Sequence, residues 1–170
     1  MIPRTLFDRE HESFRATVRC FFEKEVMPQH ALWEARGCVE RAIWRRAGEL
    51  GLLCLTIPKE YGGAGRDRRY CVVLMEELAR AGVSGMSFLS YTEVFATYIF
   101  RFGTEVQRRH YLPRIAQGEI VCSIAMTEPG TGSDLQAITT RARLEGDVYV
   151  VDGAKTFISY ARMKVLAPST

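Results

Sequence analysis

Apolar side chains recur at helical spacing through the first two thirds of the chain, and this pattern predicts a bundle of amphipathic helices. The first apolar stripe consists of Phe14, Val18, Phe21, Phe22 and Val26. Asp8 can cap the start of this helix, and Pro28 is expected to end it because proline lacks the N–H that a helix needs. A second helix is predicted over residues 41–50, where Gly51 provides a left-handed cap.

The next two predicted helices differ in how apolar they are. The helix over residues 70–81 carries a single apolar stripe and ends at Gly82. The segment 87–102 has more apolar and aromatic side chains than a one-sided helix needs: Phe88, Leu89, Tyr91, Val94, Phe95, Tyr98, Ile99 and Phe102. It is therefore predicted to be the central and most buried helix of the bundle.

The last helix of the bundle begins at Thr104, which forms a capping box with Gln107. Pro113 is expected to kink or shorten this helix. After Gly118 the period of the apolar residues changes from that of a helix to that of a strand. The predicted domain boundary therefore lies there, with a helical domain over residues 1–118.

Residues 119–159 are predicted to begin a β-domain. Residues 119–126 have the pattern of a short buried strand, and residues 139–144 and 148–151 form a hairpin around the turn at 145–147. A second hairpin signal, Asp152-Gly153, precedes a strand over residues 154–159. The predicted fold class is a multi-domain α and β protein, an all-α helical bundle followed by an incomplete antiparallel β-domain.

The stretch over residues 125–137 stands out because short hydroxyl side chains, carboxylates and helix-breaking residues are crowded together. Gly130 and Gly132 permit a close approach of the backbone to a ligand, and Thr127 and Ser133 supply short hydrogen-bonding groups. A Gly/Ser/Thr/Pro/Asp cluster between two strands is also the usual composition of a plain connection. On composition alone, both interpretations stay open.

The order of the residues in this stretch resembles a known signature. The run Thr127-Glu128-Pro129-Gly130-Thr131-Gly132-Ser133-Asp134 is similar to that of the acyl-CoA dehydrogenase flavoproteins, which contacts the flavin ring and the acyl-CoA; only Thr131 is larger than the usual small residue. Three further segments resemble the family: the Pro-Lys-Glu-Tyr-Gly-Gly-Ala-Gly loop at 58–65, the Gly-Thr-Glu-Val-Gln helix start at 103–107, and the Gly-Ala-Lys-Thr-Phe-Ile-Ser strand at 153–159.

The resemblance implies an FAD site with six contacting residues: Ile124, Met126, Thr127, Ser133, Phe157 and Ser159. By this resemblance the Thr127 hydroxyl lies near flavin N5, and Ser133 also contacts the acyl-CoA substrate. The same resemblance makes Gly132 and Asp134 residues that hold the turn. Glu128 is expected to be part of the loop scaffold, as a carboxylate that accepts hydrogen bonds from backbone amides, and not the catalytic base.

The resemblance also implies a reaction, the α,β-dehydrogenation of acyl-CoA thioesters in fatty acid β-oxidation. The family's catalytic glutamate lies in a C-terminal helical domain, so no catalytic residue is assigned here and turnover by this chain alone is expected to be negligible. The closest likeness is to the long-chain branch. The resemblance covers residues 3–159, residues 160–170 depart from it, and a truncated reading frame is the expected cause.

Partners follow from the same resemblance: an acyl-CoA substrate, an electron-transfer flavoprotein and a homo-oligomer are expected of the intact protein. Two alternatives remain open. One is a catalytically dead remnant that acts only as an oligomer partner, and the other is a fragment of an acyl-CoA oxidase-like flavoprotein.

Composition and charge limit the kinds of binding site and the cellular location that the sequence predicts. A net charge of +3 with 25% charged residues is typical of a globular protein and gives no sign of nucleic-acid binding. The three histidines are far apart, so no metal site is predicted. The five cysteines have an odd count and no repeated spacing, which favours small buried side chains in a reducing compartment over disulfides. No targeting segment or membrane span is recognised, so a cytoplasmic location is predicted, or the mitochondrial matrix if the source is eukaryotic.

Overall fold

The structure, a computed structural model, describes residues 5–88 and 90–160 and divides the chain into two compact units. The first unit extends to Cys122 and is helical, and the second begins at Ser123 and contains the β-strands. This matches the predicted fold class of a helical bundle followed by a small antiparallel β-region.

The described residues of the helical unit form six α-helices and three shorter helical turns. The α-helices are α1 (Arg9–Phe21), α2 (Met27–Arg36), α3 (Arg41–Glu49), α4 (Arg68–Ala81), α5 (Ala96–Phe102) and α6 (Glu105–Ala116). Two π-helical turns, Phe22–Val26 and Ser90–Phe95, precede α2 and α5, and a 3₁₀ turn, Lys59–Tyr61, lies in the loop before α4. None of the helices within the described ranges is long and apolar enough to cross a membrane.

The start of α1 agrees with the prediction, but its end does not. The Asp8 carboxylate accepts hydrogen bonds from the backbone N–H groups of Glu10 at 3.0 Å and His11 at 3.3 Å, which caps the helix. The prediction that Pro28 ends the helical segment was wrong. The π-helical turn resets the hydrogen bonding so that Pro28 lies in the first turn of α2, where no intrahelical N–H is needed. The sequence pattern had not indicated α2.

The core of the helical unit is a cluster of aromatic rings around Phe88, which is fully buried. Its ring centroid lies 5.1 Å from that of Trp44 in an edge-on arrangement, 6.0 Å from Phe22 and 6.3 Å from Phe21. The apolar run after α3 completes this core, because nearly all of its side chains are buried although it forms no regular element: Leu52, Leu53, Cys54, Leu55 and Ile57.

A buried carboxylate joins α1 to α4. Glu77 is 3% exposed, and it accepts hydrogen bonds from Arg19 at 2.8 and 2.9 Å, from Arg80 at 2.9 Å and from Arg15 at 3.3 Å. The hydrogen bond from Arg19 is the main reason why the pKa of Glu77 is lowered to about 2. The pair of helices is therefore fixed by charge as well as by apolar packing.

The segment 87–102 is not the most buried helix, and that prediction was wrong. Of its described apolar side chains only Phe88 and Ala96 are buried, whereas Tyr98 is 55% and Phe102 79% exposed. Leu89 and the side chain of Tyr91 lie outside the described residues. The aromatic richness of this segment therefore does not report burial, because no other described part of the helical unit covers the face that carries Tyr98 and Phe102.

The last helix begins as predicted. The Thr104 hydroxyl accepts from the backbone N–H of Gln107 at 3.2 Å, and the Gln107 side chain accepts from the N–H of Thr104 at 2.8 Å. Pro113 does not shorten α6, which continues to Ala116. The prediction of buried cysteines holds for Cys54 and Cys71, whereas Cys122 is half-buried and Cys20 and Cys38 are exposed.

The second unit, as far as residue 160, contains one antiparallel hairpin, β1 (Arg141–Glu145) with β2 (Val148–Asp152). Arg143 pairs with Val150, and the turn contains Gly146 with a φ of +62°, where a glycine is favoured. This confirms the predicted hairpin. The strands predicted at 119–126 and 154–159 do not form, since neither segment has a continuous ladder of hydrogen bonds to another described segment.

Candidate functional site

The signature loop is built on a tight turn that begins at Glu128 and ends at Thr131. The N–H of Glu128 donates to the Thr131 carbonyl at 2.9 Å, and the N–H of Thr131 donates to the Glu128 carbonyl at 3.1 Å, with Pro129 and Gly130 at the tip. The Thr131 side chain is 7% exposed and its hydroxyl donates to the carbonyl of Ala137 at 3.0 Å. The residue that is larger than the family pattern expects thus anchors the far end of the loop.

The side chain of Glu128 is the centre of this unit. It is 4% exposed and accepts from the N–H and hydroxyl of Thr139 at 2.8 and 2.6 Å, from the N–H of Thr140 at 3.0 Å and from Lys155 Nζ at 2.9 Å. The Thr140 hydroxyl donates to the same carboxylate. These donors, Thr139 first and then Thr140 and Lys155, hold the pKa of Glu128 well below its usual range. The predicted role of Glu128 as a scaffold carboxylate that binds backbone amides is confirmed.

Two segments of this unit run side by side in opposite directions. The N–H of Thr156 donates to the Thr127 carbonyl at 3.0 Å, and the Ser123 hydroxyl donates to the Ser159 carbonyl at 2.5 Å. Lys155 adds a third link, from its Nζ to the Met126 carbonyl at 3.0 Å. The segments 123–127 and 155–159 are therefore aligned like antiparallel strands without forming a ladder.

The structure places five of the six predicted contact residues on these two segments. Met126 is 43% exposed and Phe157 92% exposed, so both offer apolar surface. Thr127 and Ile124 are half-buried, and Ser159 is exposed. Together these five residues lie along the aligned segments 123–127 and 155–159.

Ser133 lies apart from the other five. It is exposed beyond the turn, and its carbonyl accepts from the N–H of Leu135 at 3.1 Å. Among the described residues, no hydrogen bond joins Ser133 to the other predicted contact residues. Asp134 holds the next turn, because its carboxylate accepts from the N–H of Gln136 at 3.2 Å.

The loop has the chemistry to hold a flat, partly polar ligand. A Cβ at Gly130 or Gly132 would meet nothing within 4 Å, and neither residue has a positive φ, so the described chain itself does not require glycine at these positions. The hydroxyls of Thr127 and Ser133 make no hydrogen bond to another described residue. Open space beside glycines, together with hydroxyls without a partner in the described chain, fits a ligand that approaches the backbone closely.

Sequence reasoning identified the loop but missed the residues that hold Glu128: Thr139, Thr140 and Lys155. The need of a buried carboxylate for hydrogen-bond donors or a cation could have indicated Lys155. A carboxylate placed in a scaffold needs a cation or several donors when it is buried, and Lys155 already belonged to the recognised strand motif.

Comparisons with known proteins cover both units. Residues 8–119 match the family described as acyl-CoA dehydrogenase, N-terminal domain, and residues 123–167 match acyl-CoA dehydrogenase, middle domain. The second match extends to residue 167, beyond the predicted end of the resemblance at residue 159. The long-chain specific acyl-CoA dehydrogenase of Sus scrofa mitochondria is 40% identical over 156 residues, which are 92% of this chain and 36% of the pig protein.

Solved structures of acyl-CoA dehydrogenases are also similar to this chain. The acyl-CoA dehydrogenase of Geobacillus kaustophilus is 42% identical, with a TM-score of 0.87 over 92% of this chain and 41% of its own. An acyl-CoA dehydrogenase of Bacillus anthracis, solved as a complex with FAD, is 34% identical, with a TM-score of 0.83 over 92% of this chain and 28% of its own. The chain thus spans between about a quarter and two fifths of the length of these relatives.

Proposed function

The chain belongs to the acyl-CoA dehydrogenase family, and on that premise we propose that it supplies the helical domain and the flavin-contacting loop of an FAD-dependent acyl-CoA dehydrogenase. The proposed activity is the oxidation of an acyl-CoA thioester to the 2-enoyl-CoA. The observation that carries the proposal is the signature loop, whose Glu128 is fully bonded while its glycines face open space and its Thr127 and Ser133 hydroxyls are left for a ligand.

The proposed cofactor is FAD, which the Bacillus anthracis relative contains. The residues proposed to hold it are Ile124, Met126, Thr127, Ser133, Phe157 and Ser159. Bound FAD would accept the hydrogen that leaves the β-carbon of the substrate as hydride. The carbonyls of Met126 and Thr127 already accept hydrogen bonds from Lys155 and Thr156. The Thr127 hydroxyl and the backbone N–H groups of Met126 and Thr127 make no hydrogen bond to another described residue, so these groups are left to bind the cofactor.

The substrate is proposed to be an acyl-CoA, with Ser133 as its contact in this chain. Its exposed hydroxyl lies beyond the turn and away from the aligned segments, which leaves it accessible to a second ligand. An electron-transfer flavoprotein as the electron acceptor, a homo-oligomeric assembly, and a cytoplasmic or mitochondrial matrix location belong to the same proposal.

Glu128 is not proposed as the catalytic base. Both of its carboxylate oxygens accept hydrogen bonds, and its pKa is held below the usual range by Thr139, Thr140 and Lys155. A general base must be free to take a proton and works best with a pKa near the operating pH. No residue of the described part of the chain is assigned to proton abstraction.

The test is a titration of the purified chain with FAD, followed by the change in flavin absorbance and fluorescence. We expect saturable binding, and the Thr127→Ala variant should bind about tenfold more weakly because one hydrogen bond to the cofactor is lost. Thr17→Ala is the matched control, since the Thr17 hydroxyl only donates to the Ser13 carbonyl on an exposed face of α1. If the wild-type chain leaves the flavin spectrum unchanged at saturating FAD, the proposed function is wrong for this polypeptide.

A further inference from the structure

We propose that Lys155 is a positioning residue that sets the spacing between the two flavin-contacting segments, 123–127 and 155–159. This inference rests on the proposed function, because the segments are named for the cofactor they would hold. The geometry that points to it is a single ammonium group that donates to two acceptors at once: the Met126 carbonyl at 3.0 Å and the Glu128 carboxylate at 2.9 Å.

Few hydrogen bonds hold the two segments together. Among the described residues, their direct links are the Thr156 to Thr127 backbone bond, the Ser123 to Ser159 bond and the Lys155 to Met126 bond. A regular strand pair would spread the same task over a ladder of bonds. Because the ladder is absent, each link carries a larger share of the alignment.

The negative charge of Glu128 also depends on Lys155. Its carboxylate is 4% exposed, and Lys155 is the cation that the structure places on it; the other contacting groups in the described chain are neutral threonine hydroxyls and backbone amides. A buried carboxylate is stable in its charged form only when it is paired or well hydrogen-bonded. Lys155 therefore has two separate effects, neutralising Glu128 and holding the Met126 carbonyl.

Lys155 is close in sequence or in space to proposed cofactor contacts on both segments. Met126 and Thr127 lie directly before Glu128, and Phe157 and Ser159 follow Lys155 along the opposite segment. The bond from Lys155 to the Met126 carbonyl is next to the bond from Thr156 to the Thr127 carbonyl. The position of Lys155 therefore sets the positions of the contact residues on both segments.

The two effects of Lys155 can be separated with a pair of variants. Lys155→Met removes both, whereas Glu128→Gln combined with Lys155→Met also removes the buried charge that Lys155 neutralises. We expect Lys155→Met to lose thermal stability and about tenfold in FAD affinity. The double variant should regain only part of the stability, because the unpaired charge is gone but a glutamine can accept from Thr139 and Thr140 at one oxygen only. It should keep the weakened FAD affinity and an altered absorption band of the bound flavin, because the Met126 link is still missing.

If FAD affinity and the flavin spectrum return to wild type together with stability in the double variant, Lys155 only balances a charge and the proposal is overturned. Lys24→Met is the matched control, since Lys24 is exposed in the helical unit, and it should change neither readout.

A measurement without flavin separates this proposal from the proposed function. Amide hydrogen exchange of the cofactor-free chain reports the Thr156 N–H, which is bonded to Thr127 in the wild type. Lys155→Met should speed its exchange about tenfold or more, and Lys24→Met should not. Unchanged protection in Lys155→Met would overturn the positioning role, whereas a wild-type chain that fails to bind FAD but shows this loss of protection would overturn only the proposed function.

Discussion

Different physical interactions stabilise the interior of each of the two units of this chain. In the helical unit the buried residues are mostly apolar and surround the aromatic cluster of Trp44 and Phe88. In the described part of the β unit the only buried residues are Glu128 and Thr131, and all ten strand residues are exposed. The helical unit is stabilised mainly by removing apolar surface from water, with Glu77 as an additional charged contact, and the β unit mainly by hydrogen bonds that converge on Glu128.

This difference determines how the stability of each unit responds to amino-acid substitutions. Apolar packing is spread over many contacts, so the cost of a substitution depends on the volume that is lost. A buried polar centre behaves as a unit, because each donor that is removed leaves the carboxylate less compensated. The β unit is therefore expected to be sensitive at a few positions and tolerant at the others.

The largest expected effect comes from emptying the aromatic cluster. Trp44→Ala should lower the free energy of unfolding of the helical unit by about 3–5 kcal/mol, because Trp44 is fully buried against Phe88. Denaturant unfolding followed by far-UV circular dichroism measures this. Phe102→Ala is the control, since Phe102 is 79% exposed, and its effect should stay within about 0.5 kcal/mol. Equal effects of the two variants would contradict the assignment of the core.

A smaller effect is expected from the buried charge of the helical unit. Glu77→Gln should cost about 1–3 kcal/mol at neutral pH, because the hydrogen bonds from Arg15, Arg19 and Arg80 lose their charged acceptor. The folded-state pKa of Glu77 is lowered to about 2 from a usual value of 4.5, so its contribution is complete above pH 4.5 and is lost as the pH falls towards 2.

Unfolding curves of the wild type and Glu77→Gln at several pH values check both statements. The difference between the two proteins should be largest near neutral pH and should shrink below pH 4.5. Glu40→Gln is the control, because Glu40 forms an exposed pair with Arg36 at 3.3 Å and such pairs contribute about 0–1 kcal/mol. A difference between wild type and Glu77→Gln that does not depend on pH would show that the buried charge is not the stabilising group.

The smallest effect is expected on the hairpin. Val148 is 63% exposed opposite Glu145, so Val148→Thr should change stability by no more than about 0.5 kcal/mol. Thermal unfolding of the 170-residue chain followed by circular dichroism measures it. A loss of more than about 1 kcal/mol would mean that this face is covered in solution, and the contrast between the two units would then be weaker than the structure indicates.

The sequence predicted those parts of the fold that depend on neighbouring residues. The caps at Asp8 and at Thr104 with Gln107, and the left-handed glycine at Gly51, are where the pattern indicated them, because a cap is a bond between residues two or three positions apart. The prediction failed at Pro28, because the π-helical turn before it changes the hydrogen-bond register, and no residue pattern marks such a turn.

The candidate site divides in the same way. The signature loop could be recognised from the order of its residues, and Glu128 could be assigned to the scaffold. The partners of Glu128 could not, because Thr139 is 11 and Lys155 27 positions away along the chain. The exposure of Tyr98 and Phe102 could not be predicted either, since an aromatic segment has the same pattern whether or not another element covers it.

The sequence by itself therefore determined the family, the helical nature of the first unit, the hairpin and the place of the loop. Each of these depends on residues that are close together in the sequence, through the spacing of apolar residues or the residue types of a turn. The tertiary structure alone decided that Lys155 reaches both Met126 and Glu128, and that one carboxylate holds the β unit together. The reason is that a buried charge is stable only where donors from distant segments converge on it, and such convergence is a property of the folded chain.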